Sequence, residues 1–227
     1  MIKIFIQEFS LRDISFGSFL ELFLSKNSIR SKEDEAILKI DYDDYKLNGT
    51  FFQKILLKEP TNNPYDDIGY VEFEYFIKQN FFFIKNNDKN FLVIINPNKF
   101  TKNFYNYLDS LTGLHLIFKD KKINLNKLID ENLKNFKHKI IKAKFNSVVL
   151  SESSKATIEI ASSQNAINDF TNTFGNTYYE INKVKIILSD KKYTELDLDI
   201  SKTGLIQTSK LNSINENEII NIINLLY

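Results

Sequence analysis

Six carboxylates crowd the segment between Glu33 and Asp44 (Glu33, Asp34, Glu35, Asp41, Asp43 and Asp44) against a single lysine, and Asp66, Asp67, Glu72 and Glu74 follow within thirty residues. Carboxylates and a lysine on adjoining strands are the groups with which a metal-dependent nuclease holds Mg²⁺ and orients water. That chemistry needs an isolated Asp at a turn, followed by Glu-x-Lys inside a buried strand. Here Asp44-x-Lys46 is the nearest approach, and Glu72 and Glu74 fall on the polar side of an alternating strand. Carboxylates so placed discourage strand-to-strand association. The sequence predicts a solvated acidic edge rather than a metal centre.

The remaining reactive types are sparse. His115 and His138 stand 23 residues apart and outside any HxH or HxxxH spacing, and cysteine is absent. Zinc needs three or four convergent His, Cys or carboxylate ligands, so no metal site is expected. Six isolated glycines cannot form the closely spaced Gly loop that cradles a phosphate. No Gly-x-Ser-x-Gly elbow is present, and Ser151-Glu-Ser-Ser-Lys155 reads as a polar hairpin tip. No catalytic residue, cofactor or disulfide framework is predicted.

One stretch is strongly basic. Nine lysines lie between Lys119 and Lys144 against three acids. Lysines neutralise phosphates without regard to sequence and with steep salt dependence. Lys119, Lys121, Lys122, Lys137, Lys142 and Lys144 are the candidate nucleic-acid contacts. Lys142 and Lys144 share one face of a strand. Only Arg12 and Arg30 are arginines, so bidentate readout of guanine is not expected. The alternative is a solvated charge run, with the acidic 33–44 segment pairing with a basic protein partner instead.

The elements that position these groups follow from periodicity. Residues 1–9 alternate as a strand, and Phe16, Phe19, Leu20, Phe23 and Leu24 form a helical stripe capped by Ser15. Strands over 35–47 and 50–58 flank Asn48-Gly49, a hairpin-turn dipeptide. The Pro- and Asn-rich 58–69 segment is a loop and a candidate boundary. Strands over 70–78, 80–85 and 90–95 follow, then a helix opened by Pro97 and stopped by Gly113. A strand at 114–118 and a helix carrying Leu125, Leu128, Ile129, Leu133 and Phe136 come next. A hairpin over 139–161, a helix over 163–174, strands over 178–188 and 193–200 and a helix from Asn215 complete the chain.

These elements imply an α+β protein of antiparallel-rich sheets with two β-β-α-β units, near 80–119 and 139–188, and a C-terminal helix. The chain divides into an N-terminal region, 1–68, and a region 69–227, or runs as one continuous domain. With 43% hydrophobic and 26% charged residues and a net charge of +1, it has the composition of a folded globular protein. Twenty Phe and eleven Tyr with no Trp imply an aromatic core. The scarcity of Arg and abundance of Lys, Asn, Ile and Phe match AT-rich codon usage. No run approaches the ~18–20 apolar residues of a membrane span, and a cytoplasmic location is expected.

The segment from Phe81 to Leu133 carries a resemblance. It runs hairpin, Phe91-Leu-Val-Ile-Ile-Asn-Pro97, a helix ending Leu108-Asp-Ser-Leu-Thr-Gly113, a strand, and a lysine-rich turn into Ile123-Asn-Leu-Asn-Lys-Leu-Ile129. In element order and hydrophobic rhythm this resembles the RdgC-type recombination-associated DNA clamps and the RexA-like phage exclusion proteins. The resemblance implies a non-enzymatic, DNA-binding homodimer or complex subunit acting in phage defence, a phage or a mobile element. It assigns no site residue.

Overall fold

The computed structural model describes residues 1–30, 34–61, 69–120, 122–190, 193–209 and 215–227. Contacts divide the chain into two compact units, residues 8–119 and residues 1–7 together with 120–227. Thr61 and Gly69, on either side of the expected 68/69 boundary, are paired strand residues.

Strand β1 (Ile2–Leu11), of which residues 8–11 belong to the 8–119 unit, leads into helix α1 (Phe16–Arg30). Ser15 Oγ accepts from Ser18 N at 3.1 Å, the expected cap. Strands β2 (Glu35–Asp43), β3 (Lys46–Thr61), β4 (Gly69–Asn86) and β5 (Lys89–Ile95) follow, paired antiparallel in that order. Helix α2 (Thr101–Thr112) precedes β6 (Leu116–Phe118), which pairs with the end of β1 through Phe9↔Phe118. The two helices cover one sheet face, and the core between is aromatic. Phe19 meets Phe83 edge-on at 5.1 Å, and Phe81 packs on Phe104 at 4.8 Å. Such pairs add about 0.5–1.5 kcal/mol each beyond their buried area.

The Asn48-Gly49 turn is a correction. Both residues lie inside β3, opposite Phe82 and Phe81. The turn is at Asp44-Tyr45, where Asp43 Oδ1 accepts from Tyr45 N at 2.9 Å and Lys46 N at 3.1 Å. That aspartate-closed turn supplies the reversal without needing glycine. Helix α2 also starts later than Pro97. Asn98 Oδ1 takes Phe100 N at 2.8 Å, forming a separate turn before the helix. His115 sits in a single 3₁₀ turn rather than on β6.

The second unit contains α3 (Leu125–Asp130), β7 (His138–Ser151), β8 (Ser154–Ala161), α4 (Ala166–Phe174), β9 (Glu180–Asp190), β10 (Tyr193–Ser201), β11 (Leu205–Thr208) and α5 (Glu216–Leu226). Its antiparallel order is β8-β7-β9-β10-β11, with residues 2–5 of β1 beside β11. Asn165 and Asn215 cap α4 and α5, the latter in a reciprocal capping box with Glu218. Phe145 stacks on Phe170 at 4.1 Å beneath the sheet.

The fold is α+β, dominated by antiparallel sheet. The two expected β-β-α-β units are not equivalent in pairing: β9 returns beside β7, whereas β6 pairs with β1. The helix expected from Leu125 to Phe136 is broken at Glu131 into α3 and a 3₁₀ turn. No helix among the described residues is long and apolar enough to cross a membrane.

Candidate nucleic-acid interface

The candidate lysines among the described residues fall in both units. Lys119 belongs to the 8–119 unit, where its Nζ lies 2.5 Å from Glu8 Oε1. Lys121 lies outside the described residues. Lys122 is exposed, 3.8 Å from Asp120, and Lys137 is exposed just before β7. Lys142 and Lys144 stand together on β7, as alternation requires.

Their neighbours are two lysines from 40 residues further on. The β7–β9 register sets Lys142 opposite Lys185 and Lys144 opposite Lys183. Like charges directly opposite on adjacent strands repel. Three carboxylates moderate the repulsion. Lys142 reaches Glu159 at 2.7 Å, Lys183 reaches Asp199 at 2.8 Å, and Lys185 lies 3.9 Å from Asp197. Among the described side chains, these four lysines stand against three acids.

The electrostatics agree with that geometry. The hydrogen bond to Glu159 raises the Lys142 ammonium above its ordinary value, and the same bond lowers the Glu159 carboxyl. For Asp197, burial pushes the carboxyl up. Hydrogen bonds from the Ser209 hydroxyl and main chain and from Thr208 outweigh it, and the net shift is downward. A hollow of about 40 Å³ opens between Lys142, Lys144, Glu159, Lys183, Lys185 and Asp199, room for a water or a phosphate oxygen. Asp199 Oδ1 is buried there without a partner among the described residues.

A larger hollow of about 370 Å³ lies at the start of β9, between Tyr178, Glu180 and Lys202 on one side and residues 122–126 on the other. Ile123 N donates to Lys202 O at 2.9 Å and ties the two sides together. Glu180 is held ionised, first by the Lys202 ammonium at 2.8 Å and then by the Tyr178 hydroxyl at 3.2 Å.

Several of the acidic candidates are individually engaged. Asp43 closes its turn, Asp41 accepts from Asn48 Nδ2 at 3.2 Å, and Glu74 and Glu72 pair with Lys54 and Lys58. Glu33, Asp66 and Asp67 lie outside the described residues. No group of three His, Asp or Glu converges among those described. His115 Nδ1 bonds Arg12 O and His138 Nδ1 bonds Phe136 O, both at 2.9 Å.

In the 8–119 unit, β3 and β4 outrun their neighbours. Beyond Gln53 on one side and Asn80 on the other their ladder partners among the described residues are each other, to Thr61↔Gly69. One face of this ribbon carries Ile55, Leu57, Val71, Phe73 and Tyr75, continuing the face that holds Phe51 and Phe81 in the core. Leu57 is 44% and Phe73 50% exposed.

Lys183, Lys185, Lys202 and Tyr178 were not singled out by sequence. The signal for the first two was present: Lys183-x-Lys185 alternates within a predicted strand, as Lys142-x-Lys144 does. Their meeting depends on a pairing that a local charge count cannot see. Compared with known proteins, the chain matches no family model and no curated sequence.

Proposed function

We propose that the chain is a non-catalytic nucleic-acid-binding protein that grips phosphate through the lysine face of β7 and β9 without reading base sequence. The observation that carries the reading is the pair of directly opposed lysines, Lys142–Lys185 and Lys144–Lys183. Side-by-side ammonium groups cost stability, and an anion bound between them removes that cost. The Lys142–Glu159 pair is solvent-exposed and worth only about 0–1 kcal/mol, so a phosphate displaces it cheaply. The setting is a phage-defence, phage or mobile-element system, as the resemblance to clamp and exclusion proteins implies. Lys137 does not line the hollow between these lysines.

Fluorescence anisotropy with labelled DNA and RNA at roughly 50 and 200 mM salt tests the reading. Two to four phosphate contacts weaken duplex affinity by about 10- to 150-fold across that range. Lys144→Glu with Lys183→Glu should abolish binding in a folded protein, and unchanged affinity removes the assignment.

A second reading, a protein-interaction subunit or homo-oligomer, is favoured by the exposed apolar face of the β3–β4 ribbon. Apolar patches of a few hundred Å² mark association surfaces. Phe73→Lys leaves the core aromatics untouched. Light scattering showing a wild-type assembly that this variant disrupts would support it.

A further inference from the structure

The hollow at the start of β9 combines features that a lysine face alone does not need. Tyr178 is 61% exposed, yet its position is fixed. Its carbonyl accepts from Val149 N at 3.2 Å, and the preceding Thr177 hydroxyl donates to Val149 O at 2.6 Å. Its own hydroxyl is tethered to Glu180 at 3.2 Å. An aromatic ring held at the mouth of a hollow is pre-organised to receive a second flat ring, with little entropy left to lose.

The remaining lining divides by charge. Lys202 is committed to Glu180, so that pair is neutral as a unit. Lys122 is 70% exposed and its carboxylate neighbour is 3.8 Å away, a loose pairing that an anion can replace. Asn124 and Asn126 add side-chain amides, and Asn124 Oδ1 is already spent on capping Lys127 N at 3.0 Å. Among the described residues, the hollow therefore offers an aromatic side chain, amide groups and one loosely paired cation, Lys122. Its volume of about 370 Å³ lies at the lower end of the range for small-ligand sites and suits one nucleotide unit.

We propose that this hollow takes one unstacked base of single-stranded nucleic acid, with the base against the Tyr178 ring and the adjoining phosphate at Lys122. A duplex cannot supply this, because its bases are already stacked and paired. Stacking on an aromatic side chain is sequence-tolerant, since every base has a π-face. It also fits the near-absence of arginine. From Glu180 to Lys183 is three residues along β9, roughly 10 Å at strand spacing. The inference rests on the phosphate-gripping reading above and specifies its substrate as single-stranded.

The test uses the full chain and anisotropy with labelled oligo-dT, oligo-U and a duplex of equal length, compared at matched salt concentrations between roughly 50 and 200 mM. Single strands are expected to bind more tightly than duplex. Tyr178→Ala is expected to lower single-strand affinity about 5- to 150-fold, the span of one lost base stack. Its salt slope should stay unchanged, because no phosphate contact is lost, whereas Lys122→Ala should reduce the slope by about 0.7. Tyr178→Phe keeps the ring and should keep most of the affinity. Each variant is checked for an unchanged thermal midpoint. If Tyr178→Ala binds single strands like wild type while Lys144→Glu with Lys183→Glu does not, the hollow is not a base site and the lysine reading stands. If the lysine variant binds like wild type, the phosphate reading fails. Equal affinity for duplex and single strand overturns the inference, as does an absence of any binding.

Discussion

Gly49 lies directly against the ring of Phe81: a Cβ at residue 49 would sit 3.1 Å from Phe81 Cζ and 3.1 Å from Ile37 Cγ2. Phe81 cannot withdraw, because its ring is packed between Phe83 at 5.5 Å and Phe104 at 4.8 Å. Gly49→Ala should therefore destabilise by about 1–3 kcal/mol, overriding the gain that alanine usually brings in a strand. Urea unfolding would show this as a lower midpoint at unchanged slope.

Asn27 links helix to sheet inside the same core. Its Nδ2 donates to Ile37 O at 2.9 Å, and its Oδ1 accepts from the Tyr107 hydroxyl at 3.3 Å. Asn27→Ala leaves a buried carbonyl without this donor and should cost about 1–3 kcal/mol. Combined with Tyr107→Phe, the loss should fall short of the sum by about 0.5 kcal/mol or more. Additive losses in a double-mutant cycle would show that the two side chains act independently.

Lys144 faces Lys183 across the β7–β9 pair. Lys144→Thr removes a like-charge opposition and suits a strand, so the free protein should gain about 0.2–1 kcal/mol. The same change should weaken nucleic-acid binding. A variant that is both less stable and equally competent in binding would contradict the role given to this face.

Asp197 predicts an acid limit to stability. Hydrogen bonds from Ser209 and Thr208 prevail over burial and hold its carboxyl below the ordinary value of 3.8. A carboxyl lowered in the folded state contributes stability that is complete above the unfolded pKa and lost as pH falls through the folded one. Thermal midpoints should decline below about pH 4, and Asp197→Asn should flatten that decline. An equally steep acid limb in the variant would assign it to other carboxylates.

Local signals were legible where the chain satisfies itself locally. Ser15 announces α1, Gly113 with φ of 62° stops α2, and the alternation of 70–78 sets the two ribbon faces correctly. Asn48-Gly49 misleads because glycine has two uses in a sheet, a turn and a close approach, and only Phe81 across the strand distinguishes them. Strand β11 spans four residues, too few for a period to register, and exists because β1 and β10 flank it. The lysine face escapes a reading by windows because its halves come from residues 142–144 and 183–185. Asp197 and Asp199, which temper it, arrive from a third strand.

Residues 1–7 share a compact unit with 120–227, and Ile2 to Phe5 pair with Thr208 to Leu205. During synthesis residues 2–5 must wait until residues 205–208 have been made. At roughly 5–20 residues per second that interval is on the order of 10–40 s. The 8–119 unit has all its residues in hand well before then. The N-terminal strand is thus a late clasp, and a nascent chain halted before residue 205 retains one strand edge still awaiting its partner.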